Sequence, residues 1–358
     1  MKTVSIKKSP NIAFVSVSDM IAILDQVGTV EFMLGLVEYL EEDFARWETF
    51  DKSPRFASHS EEGVIELMPT GEKQYFGFKY VNGHPKNTRV GLQTVTAFGV
   101  LSDVATGYPL LLSEMTILTA LRTAATSAMM AKYLAPKGST TLSMIGCGAQ
   151  SEFQVLAMSA VIGITKVRLY DVDPDAVAKC AENLSDKGLE ITLCSSAEEV
   201  VLGADIITTC TADKRNATVL TDAMVPQGIH INAIGGDCPG KTELDAQLLM
   251  RGDVFIEYEP QTRIEGDIQQ LDASSPVTEM YHVIRGDKPG RTSPEQLTIF
   301  DGVGFAVEDF SALRYVYNLL NDGSPHKKLE LIASPQNPRN LYGLSQSAGH
   351  SERKVVGL

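Results

Sequence analysis

The sequence is short of the features that mark several function classes. Its five cysteines (Cys147, Cys180, Cys194, Cys210, Cys238) are an odd, scattered set without a CxxC pair. Neither a zinc ribbon nor a disulfide framework is indicated. The six histidines show no HExxH or HxxxH spacing, so no metal is expected. No apolar run reaches about 18 residues, the length of a membrane-spanning helix. Basic residues are in deficit, with 31 Lys plus Arg against 45 Asp plus Glu and a net charge of −14. Such a field repels phosphate backbones and anionic lipid, so no nucleic-acid or membrane partner is expected. Met1 to Pro10 is basic but lacks the apolar stretch of a signal peptide. The expectation is a reduced, soluble, cytoplasmic protein.

What is present is an ordinary globular composition, 44% apolar and 21% charged over 358 residues. That length suits two domains at about 150 residues each. Short strand-like pieces open the chain. Asp19 to Trp47 carries apolar residues at helical spacing and reads as two amphipathic helices broken near Gly28. Val64–Met68, Tyr75–Val81, Thr94–Leu101 and Pro109–Leu112 read as closely spaced strands, separated by turns and forming an antiparallel sheet. Met115 to Leu134 is a long helix. From Thr140 strands and helices alternate, with strands at Thr141–Ile145, Lys166–Tyr170, Ile191–Leu193, Asp205–Thr209, His230–Ile234, Asp253–Ile256 and Leu297–Phe300. That alternation predicts an α/β fold with a mostly parallel, doubly wound sheet of Rossmann type. Val307–Leu320 reads as a closing helix. After about Ala333 the chain is rich in Ser, Asn, Pro and Gly and is expected to be irregular.

Ile145-Gly146-Cys147-Gly148-Ala149-Gln150-Ser151 leaves a strand and opens a helix, a G-x-G-x-x-S form of the dinucleotide fingerprint. Gly146 permits the tight turn, and Gly148 lets backbone approach a pyrophosphate at the helix N-terminus. Asp171 ends the next strand, where a carboxylate takes a ribose 2′-OH. No Arg follows it, which favours NAD over NADP.

Ionisable residues interrupt apolar stretches at Arg55, Glu66, Lys79 and Arg122. Lys79 and Glu66 lie on strands whose faces alternate, so each faces either water or a cleft. Arg122, on a helix with hardly another charge, requires an anionic partner if buried. Three cations converging on one cleft would bind a carboxylate. Gly235-Gly236-Asp237-Cys238-Pro239-Gly240-Lys241-Thr242-Glu243 follows a parallel strand at its carboxyl end, where such sheets place ligands. Asp237 there is either an acid–base group or a turn residue satisfied by local N–H groups. Cys238, with no histidine in a motif with it, reads as an inert thiol.

These runs, with Ile65–Pro69, Phe78–Pro85, Gly91–Ala97 and Ala120–Thr126, resemble the ornithine cyclodeaminase/μ-crystallin family. The resemblance covers about residues 15 to 320 and is nearest to the family's bacterial cyclodeaminase branch. It implies an ammonia lyase that turns L-ornithine into L-proline with recycled NAD. Within the family, a ketimine reductase, an alanine dehydrogenase or a lysine cyclodeaminase is the alternative. A silent ligand-binding protein of crystallin type would be expected to lack Lys79, Glu66 or Asp237. The resemblance further implies a homodimer, with residues 1–130 and 312–345 binding substrate and pairing subunits, residues 131–311 holding NAD, and a tail at 346–358. By the family pattern, Arg55, Lys79 and Arg122 are the substrate anchors, and Glu66 and Asp237 handle the nitrogens, with Lys79 also in the catalytic set. Thr94, Arg122, Gly146, Gly148, Ala149, Gln150, Asp171, Thr211, the stretch Asn232-Ala233-Ile234-Gly235, Lys241 and Val303 correspond to NAD contacts.

Overall fold

The computed structural model describes residues 11–212 and 218–352. The chain enters through β1 (Ile12–Val15) and turns into α1 (Val17–Val27) at Ser16. There the Asp19 N–H donates to the Ser16 hydroxyl and the Asp19 carboxylate accepts from the Ser16 N–H, a reciprocal cap. Gly28, at φ +93°, separates α1 from α2 (Thr29–Ala45), as the sequence predicts. Then come β2 (Phe56–His59), β3 (Val64–Gly71), β4 (Tyr75–Gly83), β5 (Val95–Asp103), β6 (Pro109–Glu114) and α3 (Thr116–Leu134).

The second half runs β7 (Thr141–Ile145), α4 (Ser151–Ile162), β8 (Lys166–Tyr170), α5 (Pro174–Leu184), β9 (Glu190–Leu193), α6 (Ala197–Val200), β10 (Ile206–Thr209) and β11 (His230–Ala233). It continues with α7 (Ala246–Arg251), β12 (Asp253–Ile256), α8 (Glu259–Glu265), β13 (Thr278–Glu279), α9 (Met280–Ile284) and β14 (Thr298–Asp301). The described chain closes with α10 (Ala306–Asn321), β15 (Lys327–Leu329) and α11 (Leu341–Glu352).

Two sheets result. The first has the order β15-β1-β6-β5-β4-β3-β2 and the second β13-β12-β14-β11-β10-β7-β8-β9. Every pairing in the second sheet is parallel. Its strand order reverses at β7, which lies between β8 and β10. That crevice, at the carboxyl ends of β7 and β10, is where a doubly wound sheet receives a ligand. α10 returns to the first sheet and packs on β3 to β6. One side of that sheet is therefore core, while the other keeps large apolar residues exposed.

Two expectations are corrected. The first sheet is mixed, because β1 pairs in parallel with β6 and antiparallel with β15. Parallel pairing is possible because α1 to β5 intervene and give the chain room to cross over. The segment after Ala333 is not wholly irregular, since Leu341–Glu352 is helical. Leu341 and Leu344, one turn apart, give it an apolar face despite its Ser and Gly content. The strand-like pieces expected before Asn11 lie outside the described residues.

Candidate active site

The Gly loop sits at the reversal of strand order. Gly146 has φ +99°, and a Cβ there would lie 2.7 Å from the Cys210 carbonyl oxygen. Only glycine joins β7 to α4 so close to the end of β10. Over Gly148 the space is open, and Ala149 is exposed beside it. No side chain caps α4, and the Oε1 of Gln150 is buried without a partner. Asp171 stands beside the loop, its carboxylate accepting from the N–H groups of Cys147 at 2.7 Å and Asp173 at 2.9 Å. An uncapped helix end, an open glycine and a carboxylate at the next strand fit a dinucleotide diphosphate and its ribose.

Thr211 and Lys241 lie across the crevice, with Lys241 Nζ 3.0 Å from the Thr211 carbonyl and 3.2 Å from Asp237. The Asn232 side chain turns inward beside His230, 3.2 Å away, so in the stretch Asn232-Ala233-Ile234-Gly235 this side chain belongs to the core. Thr94 stands at the start of β5, and its carbonyl accepts from His84 within the first sheet.

The register of the first sheet settles which way its charges face. Glu66 pairs with Val81 and Met68 with Lys79, so Glu66 and Lys79 share the inner face. Lys79 is 1% exposed. Its Nζ donates to Asp309 at 2.8 Å. Asp309 also accepts from Arg122 Nε at 3.0 Å, and Glu308 accepts from Arg122 Nη1 at 2.7 Å. The anionic partner expected for Arg122 is thus the acidic first turn of α10. Burial, and next the Arg122 charge, lower the Lys79 ammonium to about 8, against the pull of Asp309.

Arg55 is the most heavily committed of the three cations. Nη2 donates to the carbonyls of Val303 (2.6 Å) and Gly304 (2.7 Å), and Nη1 donates to Glu66 (3.1 Å). Nε lies 3.0 Å from Glu265. Three of its five N–H groups make hydrogen bonds and the Nε–H faces Glu265, so Lys79 and Arg122 hold most of the donors open to a carboxylate. Asp237 is half exposed, on the loop after β11. A cavity of about 530 Å³ runs between the β2–β3 turn and Cys238-Pro239, next along the chain from Asp237, and Val64, two residues from Glu66 on the same face, lines it. Arg122 lines a separate, small cavity with Glu257, Gly304 and Glu308.

Sequence reasoning missed a belt of buried carboxylates behind these groups: Glu243, Glu257, Glu265, Asp267, Asp301, Glu308 and Asp309. Glu257 accepts from Gly304 N–H at 2.9 Å, and burial followed by the nearby Glu308 raises its pKa. Asp301 accepts from the N–H groups of Asp267 and Ile268 at 2.9 Å each, and burial raises it to about 7. Signals existed: Glu257 directly follows Val254-Phe255-Ile256, Asp301 follows Ile299-Phe300 at the end of β14, and Glu308-Asp309 lies in the first turn of α10. Among the described residues no group of three or more His, Cys, Asp or Glu side chains could hold a metal ion.

Comparison with known proteins follows this geometry. The family model described as ornithine cyclodeaminase/mu-crystallin matches residues 17–324. The chain belongs to that family. It is 62% identical over 333 residues to an ornithine cyclodeaminase of Brucella suis, with 93% of each chain covered. Among solved structures it is similar to a lysine cyclodeaminase studied for recognition of L-lysine, L-ornithine and L-2,4-diaminobutyric acid. That match has a TM-score of 0.88 and 30% identity, over 93% of this chain and 99% of that one. An archaeal alanine dehydrogenase dimer with bound NAD matches with a TM-score of 0.82 and 31% identity, over 90% of this chain and all of that one.

Proposed function

We propose that this protein is an ornithine cyclodeaminase that converts L-ornithine to L-proline and ammonia with NAD as a recycled cofactor. The observation that carries the reading is a run of paired charges with two unlike ends, joined through Arg55 and Glu66, beside a dinucleotide loop. Lys79 and Arg122 offer free N–H donors at one end, and Glu66 and Asp237 stand at the other. An amino acid with a second, cationic nitrogen has a partner at both ends, whereas alanine has no group to offer the acidic end. The 62% identical relative supports the same reading.

Gly146, Gly148, Ala149, Gln150, Asp171, Thr211, Lys241, Val303 and the Asn232–Gly235 backbone are proposed to hold NAD, with Thr94 and Arg122 reaching it from the first sheet. When bound, NAD supplies a hydride acceptor that takes the substrate Cα hydrogen and returns it after ring closure. Lys79 and Arg122 clamp the α-carboxylate and fix Cα, and Arg55 stands at the amine end with Glu66 and Glu265. Asp237 takes a proton from the δ-ammonium, so that the neutral amine can close the five-membered ring. Glu66, held by Arg55, orients that amine. Asp237 then returns a proton to the departing ammonia.

The first sheet, with α10, is read as the substrate and pairing unit, and the second as the NAD unit. Phe56, Leu67, Tyr80 and Phe98 are consecutive register partners across β2 to β5 on the exposed face. Phe56 is 64% exposed. An apolar row of this kind calls for a covering surface, and the proposed cover is a second copy in a homodimer. Five cysteines that all remain thiols suit a cytoplasmic setting.

Asp237→Asn tests the chemistry. It should lower proline formation by about 10²-fold or more, while NAD still raises the melting temperature as it does for the parent protein. Unimpaired proline formation would remove Asp237 from the mechanism.

A further inference from the structure

Glu265 closes α8, and its carboxylate meets Arg55 beside Glu66. It is 6% exposed. Its Oε2 lies 3.0 Å from Arg55 Nε without forming an aligned hydrogen bond, and both atoms are otherwise unpartnered. Arg55 is therefore gripped by two carboxylates, Glu66 at Nη1 and Glu265 at Nε, while two backbone carbonyls take Nη2. Asp237, paired with Lys241, adds its field to the same patch.

When all are ionised, three carboxylates (Glu66, Asp237, Glu265) surround Arg55, and Lys241 is shared between Asp237 and the buried Glu243. Carboxylates outnumber cations in this patch, which suits an ammonium group. We propose that Glu265 is a positioning residue of the amine end, acting through Arg55, and that the charge it adds makes the site prefer a diamine over a monoamine of the same length. This inference rests on the ornithine reading above.

Burial raises the Glu265 carboxyl to about 7; Arg55 opposes the shift, and Glu66 and then Asp237 reinforce it. Arg55 ahead of β2, Glu66 on β3, and Asp237 with Lys241 after β11 are the charged groups that face it. On its own helix, Arg263 is engaged with Glu259. Below about pH 7 Glu265 takes up a proton, the negative surplus falls by one, and the preference for the diamine should weaken.

The test compares L-ornithine with L-norvaline, which has the same chain without the δ-amine. In the NAD-loaded wild-type protein, the ratio of the two apparent affinities should fall as pH drops through about 7. In Glu265→Gln the ornithine KM should rise about tenfold with norvaline inhibition within about twofold of wild type, and the wild-type pH dependence of the ratio should be lost. Glu265→Asp should recover part of both effects. Equal weakening of ornithine and norvaline, or a ratio with the wild-type pH profile in Glu265→Gln, would overturn the proposal. If Glu265→Gln does not fold, the wild-type ratio decides, and a ratio flat through pH 7 overturns it. Wild-type protein that forms no proline from ornithine refutes the underlying reading. Wild-type protein that forms proline while Glu265→Gln behaves identically refutes the inference alone.

Discussion

Asp309 is shared by Lys79 and Arg122, so one carboxylate holds two cations while each keeps N–H groups for substrate. The Lys79 ammonium, lowered to about 8, loses its charge above that pH, and the grip on the substrate carboxylate loosens with it. The alkaline fall of kcat/KM should therefore lie near pH 8. Lys79→Arg, whose side chain stays charged, should move that fall above about pH 10. A pH profile of kcat/KM in the two proteins checks this, and an unmoved limb would reassign it. At this scale the sequence was readable in part. Arg122 in an Ala-rich helix announced a buried partner, but nothing local named Glu308 and Asp309, which the fold brings from the far end of the chain. The face chosen by Lys79 and Glu66 could not be read from alternation, because it depends on how β3 and β4 pair and on α10 covering one side. The sequence also offered Arg55 as a carboxylate fork, whereas most of its donors are spent on Glu66, Glu265 and two carbonyls.

Among elements, the β7–α4 turn and the loop after β11 carry the tightest constraints. A side chain at Gly146 would meet the Cys210 carbonyl and force an L residue to φ +99°. Gly146→Ala is expected to cost about 1–2 kcal/mol from backbone conformation alone. It should also remove the NAD-dependent rise in melting temperature, with urea unfolding and thermal shift as the two readouts. At Gly235 a Cβ would meet the Glu243 carboxylate, and at Gly236 that of Asp267. The Gly235-Gly236 pair thus lets buried acids support the loop that ends in Asp237. Gly235→Ala should reduce proline formation more than it reduces stability, as activity and urea titration together would show. Gly146 was legible because strand, glycine turn and helix come in order, and Gly235-Gly236 because the pair follows the carboxyl end of a parallel strand. α7, α8, β13 and α9 were not, being too short for a periodic pattern to stand out. α11 was hidden by the Ser and Gly content that suggested a loop.

For the whole molecule, the exposed row Phe56, Leu67, Tyr80 and Phe98 is the feature a lone chain leaves unexplained. Phe98→Asp should convert a dimer to a monomer by light scattering coupled to size exclusion, with the circular dichroism spectrum unchanged. A parent protein that runs as a monomer would instead leave that face to another partner. The −14 net charge also has a use here, since it attracts a substrate that is cationic overall. The central claim is a redox cycle that closes within each turnover. The direct measurement is to incubate the protein with L-ornithine and a trace of NAD, then count ammonia, proline and NADH. A cofactor recycled in every turnover gives ammonia and proline in equal amounts, many equivalents per NAD, with no accumulation of NADH. No ammonia from ornithine, with NADH consumed when a cyclic ketimine is added, would contradict it and make the protein a reductase.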